Sequence, residues 1–222
     1  MTDRYVLRLI EDALAPGRPA VTHAWPCNRV LYAVEGAAAL ADRQGERQLA
    51  TDRALRTEGA LTVTASEGAR LWRFELLPAA APDDGRIAGP GMRSEIKLAA
   101  EVALPEADAY LLRADRVDFP LGAVTPKHTH AGPGIRCLLS GSVDAEIGDL
   151  RAIYRAGEAW LERGPDPVIG RPSTTEPSAF VRVMVLPRAL LGQPSYRPWS
   201  EAEAAMPRPQ RFTLLLDEPI EL

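Results

Sequence analysis

The sequence predicts an all-β fold made of two copies of one β domain, and three observations predict it. Most of the 222 residues fall into short apolar runs broken by Gly, Pro and Asp, a length and spacing that read as strands of a sandwich or barrel rather than helices. The 17 glycines and 20 prolines supply many tight turns. Finally, the chain lies on itself: Gly17, His23, Trp25, Arg29 and Gly36 fall 105 residues before Gly122, His128, His130, Gly134 and Gly141, without a gap.

In chain order, the first copy contains the strand candidates RYVLRLI, RVLYAVEG, ALTVTA and RLWRFELLP, and spans residues 1–78. Residues 79–95 are the predicted linker, because PAAAPDDGRIAGPG (78–91) is rich in Pro, Ala and Gly and has no strand pattern. The second copy, 96–187, contains AYLLRADRVDFP, IRCLLSGSVDAEI, AWLERG and FVRVMVLP. Each copy closes on an apolar strand and a proline, Pro78 and Pro187. Residues 188–222 form an extension in which SEAEAAM predicts a short helix, with Ser200 and Glu203 at capping-box spacing and Pro207 as a stop. Its last segment, RFTLLLDEPIEL, predicts an edge strand that pairs with RYVLRLI or crosses to a second subunit. A homodimer is expected, the alternative being that the two copies bury the same face within one chain.

Charge and composition exclude some functions. The net charge of −4 and the scattered basic residues leave no electrostatic footprint for nucleic acid. The N-terminal stretch mixes acidic with apolar residues, unlike a signal peptide, and no apolar run approaches the roughly 18 to 20 residues of a membrane span. A cytoplasmic protein is expected. Cys27 and Cys137 are too few for a disulfide framework and read as buried free thiols.

These residues resemble the cupin superfamily of small jelly-roll barrels, and the duplication resembles a bicupin. The family's first motif, G-x5-H-x-H-x3-E-x6-G, is met by Gly122, His128, His130 and Gly141. Its second, G-x5-P-x-G-x2-H-x3-N, can be laid from Gly157. The chain departs from both. The family's metal-binding glutamate falls on Gly134 and its last histidine on Val168, while Arg163, Pro165 and Pro172 replace the motif's Pro, Gly and Asn. In the first copy His23 is kept, Trp25 replaces the second histidine and Arg29 stands at the glutamate position.

What the resemblance implies is a small-molecule pocket in the second copy, with one divalent ion (Fe, Mn, Ni or Zn) on His128 and His130, completed by Glu162 or Asp166. Strand alternation puts Glu162 and Asp166 on the side of Val168, provided the GPDP turn keeps the phase. By the same parity Arg136 faces inward, where its planar donor fork suits a carboxylate. That carboxylate belongs either to a substrate or to the protein, Glu162 or Glu158 being the internal candidates. Arg29, Trp25 and Trp160 are the other substrate-binding candidates, with Trp25 able to fill the first barrel with aromatic bulk. Three functions remain open: a divalent-metal enzyme acting on a small carboxylate-bearing substrate, a metal-free metabolite-binding or sensor protein, and a metal-free isomerase or epimerase with His128 as base.

Overall fold

The computed structural model describes residues 2–17, 21–23, 27–81, 85–86, 89–105 and 109–222, with backbone only at 2–3 and 21–23. Trp25 lies outside these residues, and of His23 only the backbone is described.

Contacts divide the chain into two units, residues 1–106 and 107–221, with Leu222 grouped with the first. Unit one comprises β1 (Thr2–Leu14), β2 (Val21–His23), β3 (Asn28–Gly36), β4 (Ala38–Asp42), β5 (Gly45–Leu49), β6 (Ala54–Thr57), β7 (Leu61–Thr64), β8 (Ala69–Pro78) and β9 (Met92–Pro105). They form two antiparallel sheets, in the orders β6-β3-β8-β1-β9 and β2-β7-β4-β5. Unit two comprises β10 (Tyr110–Phe119), β11 (His128–His130), β12 (Gly134–Ser140), β13 (Ser142–Ile147), β14 (Leu150–Arg155), β15 (Ala159–Glu162), β16 (Val168–Pro172), β17 (Ser178–Pro187), β18 (Tyr196–Pro198) and β19 (Arg211–Ile220). Its sheets run β15-β12-β17-β10-β19 and β14-β13-β16-β11-β18. Two such sheets in each unit are consistent with jelly-roll domains.

The strands form where side chains alternate or run apolar throughout. In β4 and β7 alternate residues are buried, as expected of strands with one face on a core. Leu31, Leu40, Leu49, Leu61, Val63 and Leu71 then join the two sheets of unit one. Val117, Phe119, Leu138, Val143, Ala145, Trp160 and Phe180 do the same in unit two.

The repeat is longer than the sequence predicts. Residues 92–105 do not belong to a linker and a second copy: β9 pairs along the whole of β1. Likewise β19 pairs not with the N-terminal strand but with β10 of its own unit. Each copy therefore ends in a strand that returns to cover the edge of its first. Irregularities repeat as well. β1 slips against β9 between Leu9 and Ile10, and β10 against β19 between Ala114 and Asp115. β3 slips against β8 between Ala33 and Glu35, and β12 against β17 between Leu138 and Ser140. Both pairs of bulges are 105 residues apart. The short helix α1 (Glu201–Ala204) forms with Ser200 as N-cap, accepting from the backbone N–H of Glu203. The Glu203 carboxylate turns away from the box and accepts the N–H of Lys127 at 2.8 Å. Among the described residues no helix is long and apolar enough to cross a membrane.

Unit one buries a charge cluster between its strands. Glu75 accepts from Arg8 (2.6 Å), Arg29 (2.8 Å) and Arg73 (2.7 Å), and Arg73 also reaches Asp12 at 2.6 Å. Three guanidiniums so close are tolerable only while the carboxylate holds them. Glu75→Gln is expected to destabilise the protein by about 3 to 5 kcal/mol, the cost of leaving buried charges unpaired, read as a lowered urea midpoint. An unchanged midpoint would show that the cluster does not bear on stability.

Candidate functional site

Unit two encloses a narrow cavity of about 50 Å³, room for a few waters or a small molecule, since one water centre takes about 10 to 15 Å³. β11 brings His128 and His130 to it on one face of a three-residue strand, both more than nine-tenths buried. His128 Nδ1 lies 2.8 Å from the carbonyl oxygen of Pro126, which accepts only if that nitrogen carries the proton. Its Nε2 is then a bare acceptor. His130 is engaged at both nitrogens, with Nε2 3.5 Å from Glu162 Oε2 and Nδ1 3.4 Å from Ser195 Oγ. β18 pairs with β11, placing Tyr196 opposite His130 and stacking its ring on His128 at 4.6 Å.

The opposite wall carries Arg136, on β12, and Glu162, at the end of β15. Arg136 is fully buried, donates from Nη1 to the Gly134 carbonyl at 2.6 Å, and sets Nη2 2.6 Å from Glu162 Oε2. That contact is close but out of line for a hydrogen bond, and among the described residues Arg136 Nε and Nη2 and Glu162 Oε2 have no aligned partner. Burial brings the guanidinium pKa down to about 10 against the pull of Glu162. Trp160 donates from Nε1 to Glu162 Oε1 at 3.0 Å and packs as part of the cavity floor. A further guanidinium, Arg182 on β17, lines the cavity and donates to Asp115 at 2.7 Å.

This donor set fits a metal ion poorly. Glu162 spends one oxygen on Trp160 and holds the other against Arg136, so a cation there would have to displace a guanidinium. Val168, where the family's last histidine would fall, is the register partner of His128 and presents an apolar side chain to the cavity. Gly134 cannot recover the missing glutamate: a Cβ there would stand 2.7 Å from the Val183 carbonyl oxygen and 3.0 Å from Arg136 Nη1. The guanidinium occupies the space beside that position. Asp166 is half-buried in a bend and does not line the cavity, because the Gly164–Asp166 bend breaks the alternation that would have carried it inward. Glu158 likewise turns elsewhere, accepting the N–H of Arg155. Among the described residues no three His, Cys, Asp or Glu side chains converge as a metal site.

In unit one, Arg29 is fully buried in the Glu75 cluster and donates to Cys27 Sγ at 3.2 Å. Burial, the largest influence, and Glu75 push that thiol up to about 12. Both cysteines are buried, and neither forms a disulfide. Sequence reasoning missed Arg182, Ser195, Tyr196 and Gln210 at the second-unit site. Only Arg182 left a signal, as a lone guanidinium inside the apolar run FVRVMVLP.

No protein-family model and no curated protein matches the chain. Solved structures do. AerE from Microcystis aeruginosa superposes with a TM-score of 0.59 at 12% identity, over 82% of this chain and 88% of that one. A point mutant of Bacillus subtilis oxalate decarboxylase OxdC gives 0.57 at 13% identity, over 84% and 73%. Vicilin from hazelnut, Corylus avellana, gives 0.52 at 11% identity, over 81% and 74%. The fold is bicupin-like. At these identities the likeness concerns the fold alone, and the chemistry has to be argued from this chain's own residues.

The histidines make stability depend on pH. Burial, reinforced by Arg136, Arg182 and His128, holds His130 well below the ordinary imidazole value of 6.5. Burial also lowers His128, against its bond to Pro126. The unfolded chain takes up these protons near pH 6.5 and the folded chain only at lower pH. Stability is therefore complete above that pH and falls as the pH drops below it, by up to about 1.4 kcal/mol per pH unit for each histidine. His130→Gln is expected to flatten this slope in urea titrations between pH 7 and 5. A slope equal to wild type would mean that His130 is not held neutral.

Proposed function

We propose that the C-terminal unit of this bicupin binds a small carboxylate-bearing molecule without a resident metal, Arg136 and Arg182 receiving the carboxylate and His128 Nε2 facing the remainder. The observation that carries this reading is the Arg136 guanidinium, fully buried at the cavity wall with donors that no protein acceptor aligns with. A buried donor left unmet costs about 1 to 3 kcal/mol, more for a charged group, which an acidic ligand recovers. The charged groups lining the cavity are Arg136, Arg182 and Glu162, a single positive charge in excess. The apolar floor of Val117, Phe119, Trp160 and Phe180 suits the carbon skeleton.

A second reading adds turnover, and the bare His128 Nε2 favours it. A neutral imidazole with a fixed tautomer can take the proton from the carbon beside a bound carboxylate and return it to the other face, while Arg136 stabilises the charge that develops on the carboxylate oxygens. The net reaction is an epimerisation with no oxidant and no metal.

Metal content by plasma mass spectrometry and acid binding by calorimetry test the binding reading together. Purified without chelator, the protein is expected to carry no stoichiometric metal and to bind acetate, with affinity lost by about tenfold or more in Arg136→Met while circular dichroism is unchanged. Near-stoichiometric metal that disappears in the His128→Ala, His130→Ala double variant would overturn it. Turnover is read separately: solvent deuterium is expected to enter the α-carbon of a bound 2-hydroxy acid in wild type and not in His128→Ala. Equal incorporation in both would remove His128 as the base.

A further inference from the structure

The inner cavity has a neighbour across one of its walls. A second, roomier space of about 460 Å³ lies in the same unit, within the ~300 to 1,000 Å³ range of sites for organic ligands. The two share one wall, formed by Arg182, Tyr196, Gln210 and Phe212. Two polar atoms of that wall are buried and have no hydrogen-bond partner among the described residues, the Tyr196 hydroxyl and Gln210 Oε1. Gln210 is only 7% exposed.

We infer that the site takes a molecule longer than the inner cavity, a hydroxylated monocarboxylic acid whose hydroxyl-bearing end passes between Tyr196 and Gln210 into the outer compartment. The inference rests on the reading that Arg136 receives the acid group. A carbonyl oxygen such as Gln210 Oε1 can only accept, so what satisfies it must donate, and an alkyl chain in that place would leave it buried and unmet. The Tyr196 hydroxyl can give or take, which matches a ligand hydroxyl on either side.

Charge limits the acid to one. The two compartments together are lined by Arg113, Arg136, Arg182 and Arg208 against Asp115, Glu162 and Asp217, leaving one positive charge in excess. Arg113 is closed on Asp217 at 2.9 Å, and Arg182 gives its Nε to Asp115 at 2.7 Å. A dianion would exceed what remains.

The wall is also held in place, as a selective opening must be. Tyr196 lies on β18, paired to β11, with Arg208 over its ring at 4.7 Å. The following turn is tied back by the Trp199 N–H donating to the Lys127 carbonyl at 3.0 Å.

Calorimetry with three acids separates this inference from the reading beneath it. Gluconate carries one carboxylate and a hydroxylated chain, hexanoate has the same length without hydroxyls, and acetate fits the inner cavity alone. Wild type is expected to bind gluconate about tenfold or more tighter than hexanoate, since each unmet buried polar group penalises the apolar chain. In Tyr196→Phe, Gln210→Leu that preference should vanish, gluconate falling to the level of hexanoate. The single Tyr196→Phe, which keeps the ring stacked on His128, should lose part of the preference and keeps the test decisive if the double variant folds poorly. Wild type that binds acetate but gluconate no better than hexanoate overturns the inference and leaves the Arg136 reading standing. Variants that keep the preference overturn it too. Wild type that binds none of the three acids overturns both.

Discussion

A guanidinium and a carboxylate in contact inside a β sandwich need a reason to be there, and for Arg136 and Glu162 the reason is space. Gly134 has no side chain and could accept none, so Arg136 can fold its head group back along β12 to the Gly134 carbonyl and onto Glu162. Everything else at the site follows from that placement. The positive charge adds to burial in keeping His130 neutral, Glu162 is held against a guanidinium, and the excess donors of that guanidinium make the cavity wall attractive to an acid.

Unit one meets the same constraint differently. Arg29 and Glu75 are register partners on β3 and β8, and the matching partners on β12 and β17 are Gly134 and Met184. An ion pair fills the interior of one copy where the other has a glycine and a thioether. The charge that unit one closes internally, with three guanidiniums on Glu75, unit two turns toward open space. Arg73 and Arg182 show that the scaffold is common to both. They sit opposite Leu31 and Arg136, residues 105 apart.

The duplication was legible because glycines and histidines at fixed turns survive a 105-residue shift, whereas partnerships between distant strands leave no such mark. β9 escaped notice because a strand covering an edge buries little: most of MRSEIKLAAEVALP is half-buried or exposed, and no apolar run announces it. At the site, His128, His130, Arg136 and Glu162 follow from motif spacing and strand parity. Asp166 did not, because parity ends where a bend begins. Tyr196 and Gln210 come from a stretch with no regular pattern, and only tertiary contact with β11 and the outer space gives them a role.

The bulges that repeat 105 residues apart carry a hazard during synthesis. β10 waits for β19, whose Asp217 reaches Arg113 across 104 residues of chain. β9, which slips at the corresponding place, would match β10 in backbone register wherever β1 had not yet taken it. Backbone alone cannot tell native pairing from an exchange between copies. The side chains can: Arg113 faces Asp217 on β19, and at the corresponding place on β9, opposite Arg8, stands Ala99. A pairing of β10 with β9 would leave Arg113 without its carboxylate, a cost that favours β19 as the partner.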